Sequence, residues 1–352
     1  MTYVGCDLHK TNVVFFVLDN NGDFLTRAEL PSNEDQICSF LDTLAKPVTM
    51  AVECTSSWYW FSDLMDQIHV ELKLVHSKMF RAISWAKNKT DKRDSRTLAI
   101  QLYKDNLPLA FRISGAERDH RELMRARLRM VARCAALQAS LHMVAQRYNV
   151  KLPDHDRIAP EKYKKLFKGN LPEAAFTEAR LLLDQIKLCT LNIRELEQQI
   201  EAFAPQSELL TKLCQLPGLG LVNAYTILTE IGDIHRFPTD KDFTSYCRLV
   251  PAAEDSGEKH KHKKGNKDGN RYLKQAFLSA AIHAVKYPVI KQFHQKIKNR
   301  SGKYVARTVV AKTLAAIVWQ MITKNEPYKG FKGKMTGSAK QKSWPHSINP
   351  QN

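Results

Sequence analysis

The chain has 352 residues, with 54 Lys and Arg against 36 Asp and Glu, and a formal net charge of +18. This length predicts two or three compact units. The sequence contains neither a P-loop nor a dinucleotide-binding glycine fingerprint, which argues against ATP hydrolysis and nicotinamide redox chemistry.

The first 80 residues predict a mixed α/β domain, here bounded at residues 1–115. Short apolar runs joined by tight turns predict strands, and apolar spacing of three and four predicts helices. The expected elements are strands at Thr2–Cys6, Asn12–Leu18, Asp23–Leu30, Val48–Val52 and Glu71–His76, and helices over 33–45 and 58–68. The order β-β-β-α-β-α-β-α is that of ribonuclease-H-like folds, in which the first and fourth strands are neighbours.

Two acidic residues end apolar runs in this domain. Asp7 follows the first run and Glu53 ends the fourth, so both are expected to face one cleft. A single Asp after a strand is usually a turn or cap residue. Glu53 is harder to explain in that way, because a carboxylate within TMAVEC is costly to bury unpaired.

Two further acids open a later helix. Asp91 and Asp94 lie three residues apart in KTDKRDSRTLA, which places both on one helix face. Alone, Asp94 is typical of a solvated face. Clustered carboxylates repel one another, and a hard cation such as Mg²⁺ relieves the repulsion. Together the four acids predict a magnesium site for phosphodiester chemistry.

The middle of the chain, residues 116–205, predicts a helical coiled-coil region. Two heptad seams of apolar residues are separated by a segment containing Pro153, Pro160 and Pro172. The seam residues are Met130, Cys134, Leu137, Leu141, Val144 and Tyr148, then Leu182, Ile186, Cys189, Ile193, Leu196, Ile200 and Phe203. The pattern favours a helical hairpin suited to self-association. An ordinary bundle core is an equally good interpretation.

Residues 206–330 predict a mainly α-helical domain that begins with a helix-hairpin-helix-like element. In LPGLG, Gly218 and Gly220 form a tight turn between two apolar helices. Backbone amides in such a turn can hold a DNA phosphate without reading sequence. Pro-Gly marks many ordinary turns, so the motif leaves DNA contact open.

The positive charge is concentrated at the C-terminal end of the chain. Residues 256–352 contain 21 basic and three acidic residues, whereas residues 1–255 are balanced at 33 of each. Nucleic acid is the expected partner, since neutralising its phosphates releases counterions. The candidate contacts are Gly218, Gly220, Lys259, Lys261, Lys263, Lys264, Lys267, Arg271 and Lys274. Residues 331–352 are predicted to be a basic, flexible tail.

A membrane is a less favoured partner for this charge. The most apolar late stretch, Val305–Ile322, is interrupted by Arg307 and Lys312 and is predicted to be too polar to span a bilayer. No signal peptide precedes the first strand, and the seven cysteines have no metal-ligand spacing. We therefore expect a cytoplasmic, nucleoid-associated protein with reduced, mostly buried thiols.

The loop after residue 250 contains one further chemical candidate. Ser256 is the only hydroxyl-bearing residue between Tyr246 and Tyr272, and it lies among glycines and lysines. A serine beside glycine is usually a turn former. The surrounding positive charge and the upstream acids favour a functional role for Ser256.

These motifs together resemble the DEDD transposases of the insertion-sequence-110 family, including its 1111 subgroup, which are related to the Piv invertase. YVGCDLHK, AVECTSSW and KTDKRDSRTLA are similar to the motifs of the family's RuvC-like domain that contain the four acids. LPGLG, TEIGDIHRF, YCRLVP, DSG and NKDGNRYLK are similar to its C-terminal transposase domain. Relatives commonly have Ser-Ser-Gly where this chain has Asp255-Ser256-Gly257, and Glu254 and Asp255 are unexplained departures.

The resemblance implies a recombinase that excises and inserts an insertion sequence. Asp7, Glu53, Asp91 and Asp94 would hold Mg²⁺, and Ser256 would be the nucleophile. The implied partners are double-stranded donor and target DNA, a noncoding guide RNA and further copies of the chain, as a dimer or tetramer. Because the acids and the serine fall in different predicted domains, an oligomer can build a composite site from two subunits.

Two other functions fit parts of the same pattern. A RuvC-like, structure-selective junction endonuclease would use water as its nucleophile and would not need Ser256. A non-catalytic nucleic-acid-binding protein would bind in a salt-sensitive way without needing the acids.

Overall fold

The structure, a computed structural model, describes residues 1–83, 91–113, 115–153, 159–204, 207–251 and 268–331, with the side chains of 82–83 and 91–93 left aside. The chain divides into two compact units, Met1–Gly115 and Ala116–Asn352. The first unit is an α/β domain and the second is helical. The predicted boundaries near residues 205 and 330 remain predictions.

The first unit contains the predicted strands and helices in the predicted order, with one further helix at Ser77–Ile83 that was not predicted. The strands are β1 (Thr2–Leu8), β2 (Asn12–Leu18), β3 (Phe24–Pro31), β4 (Val48–Glu53) and β5 (Glu71–Val75). The helices are α1 (Glu34–Asp42), α2 (Trp58–Gln67), α3 (Ser77–Ile83) and α4 (Asp91–Tyr103). β1 extends two residues beyond the predicted end, so Asp7 lies within the strand rather than after it.

The five strands form one mixed sheet with the order β3-β2-β1-β4-β5. β1 is antiparallel to β2 and parallel to β4, with Cys6 opposite Val52 at the end of the parallel register. The first and fourth strands are therefore neighbours, as expected. The parallel strands β1, β4 and β5 are mostly buried, because helices cover both of their faces.

Alternate residues of the central strands belong to different cores. Val4, Cys6 and Val52 pack in the core that includes side chains of α1 and α2. Ala51 packs on the opposite face with Leu98 of α4. Because successive side chains in a strand alternate between faces, the residues at odd positions of β1 and β4 face α4.

Gly5 lets α4 lie against β1. A Cβ atom at this position would come within 2.0 Å of the carbonyl oxygen of Ser95 and 2.5 Å of the amide nitrogen of Ala99. The rings of Tyr3 and Tyr103 meet edge to face, 5.4 Å apart. Since Tyr3 meets the last residue of α4 and Gly5 meets its middle, α4 runs antiparallel to β1.

The second unit contains nine α-helices within the residues that the structure describes, with one short 3-10 helix at Ile234–Arg236. They are α5 (Gly115–Arg147), which begins one residue before the unit, α6 (Pro160–Phe167), α7 (Glu173–Phe203), α8 (Glu208–Cys214), α9 (Leu221–Ile231), α10 (Asp240–Tyr246), α11 (Arg271–Ala284), α12 (Pro288–Ser301) and α13 (Lys303–Thr323).

The two long helices α5 and α7 run antiparallel. Arg127 Nε donates to Glu197 at 2.9 Å, and Arg147 Nη2 lies 3.3 Å from Glu178. The residue numbers rise in one helix as they fall in the other, which fixes the direction. The predicted seams are wrong at two of their ends, since Tyr148 and Phe203 are exposed. Self-association through this region remains a prediction.

Helix α13 is the central helix of the second unit. By length and composition it is apolar enough to cross a membrane, contrary to our expectation of its polarity. One of its faces is buried in the largest core of the unit, through Val310, Leu314 and Val318. Trp319 Nε1 donates to the carbonyl oxygen of Phe237 at 3.0 Å. These contacts are those of a core helix.

All seven cysteines are free thiols. The expectation that most are buried is wrong, because Cys54 and Cys214 are exposed and Cys38 and Cys189 are partly exposed. Burial raises the pKa of the Cys247 thiol well above its usual value, the nearby Arg236 acting in the opposite direction, so this thiol is protonated and poorly nucleophilic.

Replacing Gly5 with alanine is expected to destabilise the first unit by about 1–3 kcal/mol, because the added methyl group meets backbone atoms of α4 that cannot rotate away. Thermal or urea unfolding of the full chain measures the change. Gly220→Ala is the control, since a Cβ there meets no atom within 4 Å. Equal stabilities for the two variants would contradict the close approach of α4.

Candidate functional site

The pairing of β1 with β4 brings two of the predicted acids together. The parallel register ends with Cys6 opposite Val52, and its continuation by one residue places Asp7 beside Glu53. Adjacent strands are about 4.8 Å apart, and directly paired residues point to the same face. That face is the one covered by α4. Both side chains are partly exposed.

Asp7 lies at the edge of a buried hydrophobic core, between Cys6 and Leu8. Its carboxylate lies 3.3 Å from Nε2 of His9, and its side chain is 18% exposed. The preceding thiol, Cys6, points into the opposite core, and burial together with the charge of Asp7 raises its pKa well above the usual value. Cys6 is therefore a packing residue, and Asp7 is the chemically available neighbour.

Helix α4 points its N-terminal end toward the Asp7 end of β1. The helix is antiparallel to the strand, with Ser95 and Ala99 over Gly5, so its first turn lies further along toward Asp7. Asp91 is the first residue of α4, and its side chain is outside the described set. Asp94 is partly exposed and precedes the fully buried Ser95.

The donor set suits a hard divalent cation. Asp7 and Glu53 are carboxylates on adjacent strands, and α4 begins with Asp91 at the same end of the face. Among the side chains that the structure describes, no three His, Cys, Asp or Glu lie close enough together to hold a metal ion. The structure thus places Asp7 and Glu53 on adjacent strands, and the side chain of Asp91 lies outside the described set.

Ser256 and five of the candidate lysines lie outside the described residues. These are Lys259, Lys261, Lys263, Lys264 and Lys267, in the segment 252–267. Arg271 and Lys274 lie in the first turn of α11, where the Arg271 guanidinium donates to the hydroxyl of Tyr272. Arg271 is exposed and Lys274 is partly exposed, so both remain available to a ligand.

The two flanks of the segment 252–267 are tied to each other. The amide of Asn270 donates to the carbonyl oxygen of Tyr246 at 2.6 Å, and Arg248 Nε donates to the carbonyl oxygen of Gly269 at 2.7 Å. Gly269 has φ +103°, and a Cβ there would meet the Tyr246 carbonyl oxygen at 2.3 Å. Glycine is therefore required where the segment rejoins the helical core.

A buried acid that we did not predict, Glu230, binds the flank that contains Asn270. Glu230 of α9 is 1% exposed and accepts two hydrogen bonds from Arg125, at 2.6 and 2.8 Å. Asn270 donates to the same carboxylate at 2.7 Å and caps α11 by accepting from the amides of Tyr272 and Leu273. One carboxylate thus connects α5, α9 and the start of α11.

The sequence contained a signal for this residue. Glu230 follows the apolar run of α9, just as Glu53 follows that of β4, and the same cost of burying a charge applies to both. Its partner Arg125 lies 105 residues away, among other arginines of α5, and no local pattern distinguishes it.

The predicted turn at LPGLG lies between α8 and α9. Gly218 has φ +82°, and a Cβ there would come within 2.3 Å of the carbonyl oxygen of Ala280. This glycine is thus needed for packing against α11, independently of any ligand. Gly220 is exposed at the start of α9 and has open space around it. Of the two glycines, Gly220 is the one with room for a phosphate.

Comparison with known proteins points to transposases. A model described as a transposase, of the DEDD type of IS110 elements, matches residues 4–150. A second model, described as the transposase IS116/IS110/IS902 family, matches residues 210–295. The first match contains Asp7, Glu53, Asp91 and Asp94, and the second contains Glu230, Ser256 and Asn270.

Individual relatives agree with the two models. The chain is 24% identical over 69% of its length to the transposase for insertion sequence element IS1111A of Coxiella burnetii, covering 69% of that protein. It is 19% identical over 92% of its length to the transposase for IS1328 of Yersinia enterocolitica, covering 97% of it. An uncharacterised protein of insertion element IS110 in Streptomyces coelicolor is 33% identical over 30% of this chain and 27% of its own length.

The two family models and the relatives thus define the chain as a transposase. The chain belongs to the IS110 family of transposases. Membership implies DNA binding, and it implies the cleavage and rejoining of DNA in transposition. The expected family is confirmed.

Replacing Arg125 with methionine is expected to destabilise the second unit by about 3 kcal/mol, because the Glu230 carboxylate stays buried without its cation. The matched control is Arg127→Met, two residues further along the same helix. Its partner Glu197 is 34% exposed, so the loss should be about 1 kcal/mol or less. Urea unfolding measures both. A loss for Arg125→Met no larger than for Arg127→Met would contradict the organising role of Glu230.

Proposed function

We propose that this transposase cleaves and rejoins DNA with a divalent-metal site built by Asp7, Glu53, Asp91 and Asp94 and with Ser256 as nucleophile. The observation that supports the proposal is the in-register pairing of β1 with β4, whose continuation by one residue would set Asp7 beside Glu53 on the face that α4 covers. A pair of carboxylates on neighbouring strands is an arrangement suited to a shared cation.

We assign the first unit to the ribonuclease-H-like, RuvC-like class. Support comes from its sheet order, with an antiparallel β1–β2–β3 meander and parallel β4 and β5 added beyond β1. In that class the acids lie on the first and fourth strands and on a helix that packs over them, as Asp7, Glu53 and α4 do here. The helical hairpin of α5 and α7 and the C-terminal domain would follow.

Mg²⁺ is the metal that the donor set favours. When bound, it would polarise the scissile phosphate and neutralise charge that develops in the transition state. The protein supplies the positions of the carboxylates, which are set by backbone pairing rather than by flexible loops. The partly exposed surfaces of Asp7 and Glu53 leave room for a phosphate oxygen from solvent.

Ser256 is proposed to form the covalent link to DNA. Its hydroxyl oxygen would form a bond to the scissile phosphorus and release its proton to solvent. The bond from phosphorus to one sugar oxygen would break, and that oxygen would take up a proton. The resulting phosphoserine ester keeps the bond energy for rejoining, so no external energy source is needed.

The ties at residues 246–248 and 269–270 support this role. They bring the two flanks of the serine segment to one place on the helical core, and the Glu230 carboxylate holds Asn270 there. Lys259, Lys261, Lys263, Lys264, Lys267, Arg271 and Lys274 would then contact the phosphates of donor and target DNA.

The remaining partners are proposed from charge and from the family resemblance. A noncoding guide RNA would share the basic C-terminal surface with DNA, consistent with 21 basic residues against three acidic ones after residue 255. A dimer or tetramer would form through the α5–α7 region, where Leu181, Leu188 and Leu191 are exposed. The bacterial cytoplasm would be the compartment.

Asp7→Asn is expected to abolish DNA strand cleavage, because an amide keeps the shape of the side chain but removes the charge that holds a cation. Cleavage of a labelled duplex containing an element end, with Mg²⁺, measures the effect. Asp42→Asn is the control, since Asp42 is an exposed residue of α1 that pairs with Lys46 at 3.1 Å. Full cleavage by Asp7→Asn would exclude the metal-site proposal.

Ser256→Ala is expected to eliminate covalent protein–DNA adducts while leaving DNA affinity within about twofold of the wild-type value, because one neutral hydroxyl contributes little to phosphate binding. Denaturing gels of labelled DNA detect the adduct, and Ser140→Ala, at an exposed position of α5, serves as the control. Cleavage without any adduct in the wild-type protein would favour a water-dependent junction endonuclease. Adducts that persist in Ser256→Ala would remove this serine from the reaction.

A further inference from the structure

The turn between α12 and α13 is rich in cations and contains an exposed tyrosine. We call this surface the α12–α13 corner, and its residues are Lys298, Arg300, Lys303, Tyr304 and Arg307. α12 ends at Ser301 and α13 begins at Lys303, with Gly302 in between at φ +85°. The corner is separate in sequence from the serine loop and from the LPGLG turn.

The corner has no acidic neighbours in its own part of the sequence. Residues 271–325 contain 11 lysines and arginines and no Asp or Glu. Within the part of the chain that the structure describes, none of the four cations forms a salt bridge. Cations without a protein counterion repel one another, and an anionic ligand relieves that repulsion.

The four cations lie on α12 and α13, two helices that pack against each other. His294 and Lys298 are four residues apart on α12, and Lys303 and Arg307 are four residues apart on α13, so each pair shares a helix face. The pKa of His294 is lowered by burial, then by the positive charges of Lys298, Arg307 and Lys303. Those three charges therefore lie close enough together to act on a single imidazole.

Tyr304 adds a flat apolar surface to this charge. Its side chain belongs to the first turn of α13 and is 80% exposed, the highest value among the large apolar and aromatic residues of the described chain. Val305 beside it is 47% exposed. A tyrosine needed only for packing would bury its ring. Here the ring stands in solvent, directly after Lys303 and three residues before Arg307 on the same helix, where a nucleobase can stack on it.

We propose that the α12–α13 corner binds single-stranded DNA, with Tyr304 stacking on a base and Lys298, Arg300, Lys303 and Arg307 contacting the flanking phosphates. Aromatic rings within a basic surface are how proteins hold single strands without reading sequence. Duplex DNA offers the same phosphates but keeps its base faces stacked, so it would use the cations and not the ring. DNA strands separated during recombination would supply the ligand.

The role of the corner in recombination rests on the proposed function, whereas its binding of a single strand does not. The test therefore uses the full chain with EDTA, in which no metal-dependent step takes place. The probe is a fluorescein-labelled oligothymidylate, and anisotropy measures its affinity over a range of salt concentrations. If the proposed roles of the acids or of Ser256 in cleavage were wrong, this binding measurement would still be valid.

Tyr304→Ala is expected to weaken oligothymidylate binding by about 5- to 150-fold, the range for losing one base–aromatic stack. Tyr304→Phe should bind nearly as the wild type, because it keeps the ring. Lys303→Ala should lower the slope of log affinity against log salt by about 0.7, as for one phosphate contact with a single strand. Duplex binding should be unaffected by Tyr304→Ala.

Two controls match these variants. Tyr148→Ala removes another exposed tyrosine of the same unit, and Lys162→Ala removes an exposed lysine of α6. The proposal is overturned if Tyr304→Ala binds oligothymidylate as tightly as Tyr148→Ala does, or if Tyr304→Phe loses as much as Tyr304→Ala. A Tyr304-dependent preference for oligouridylate over oligothymidylate would assign the corner to RNA and overturn the DNA assignment.

Discussion

The parallel pairing of β1 with β4 is the constraint on which the candidate active site depends. The paired register ends at Cys6 opposite Val52, so Asp7 and Glu53 are the next residues on two adjacent strands, and their positions follow from the sheet rather than from side-chain packing. Gly5 extends this control to α4, because only a residue without Cβ allows the helix backbone to rest on the strand. The N-terminal end of α4 is thereby directed toward the same end of the sheet.

In the second unit a buried ion pair, rather than strand pairing, holds distant parts of the chain together. There a single buried carboxylate, Glu230, gathers Arg125 and Asn270 and so joins three helices near the flanks of the serine segment. Burying this charge is costly unless its hydrogen bonds are made, so the loss of one partner leaves an uncompensated charge in the core. Strand register and a satisfied buried ion are thus two ways in which one chain positions residues that are distant in sequence.

Most of the first unit was predictable because its signals are local. Apolar runs, turn residues and helical spacing gave the order of the elements, and Asp7 and Glu53 stand out as acids at the ends of apolar runs. The long-range pairs were not predictable in this way. Arg125 and Glu230 are 105 residues apart, and the ends of the heptad seams at Tyr148 and Phe203 are exposed although their spacing is regular. Periodicity identifies a helix face, but tertiary packing decides how much of it is covered.

The most direct test of the central claim is a crystal structure of the chain grown with Mn²⁺ and measured for anomalous scattering. The paired-strand site predicts an anomalous peak about 2.0–2.3 Å from carboxylate oxygens of both Asp7 and Glu53, with α4 supplying a further oxygen. A peak bound by only one of these residues, or Mn²⁺ located elsewhere with this face empty, would contradict the claim that the β1–β4 register builds the metal site.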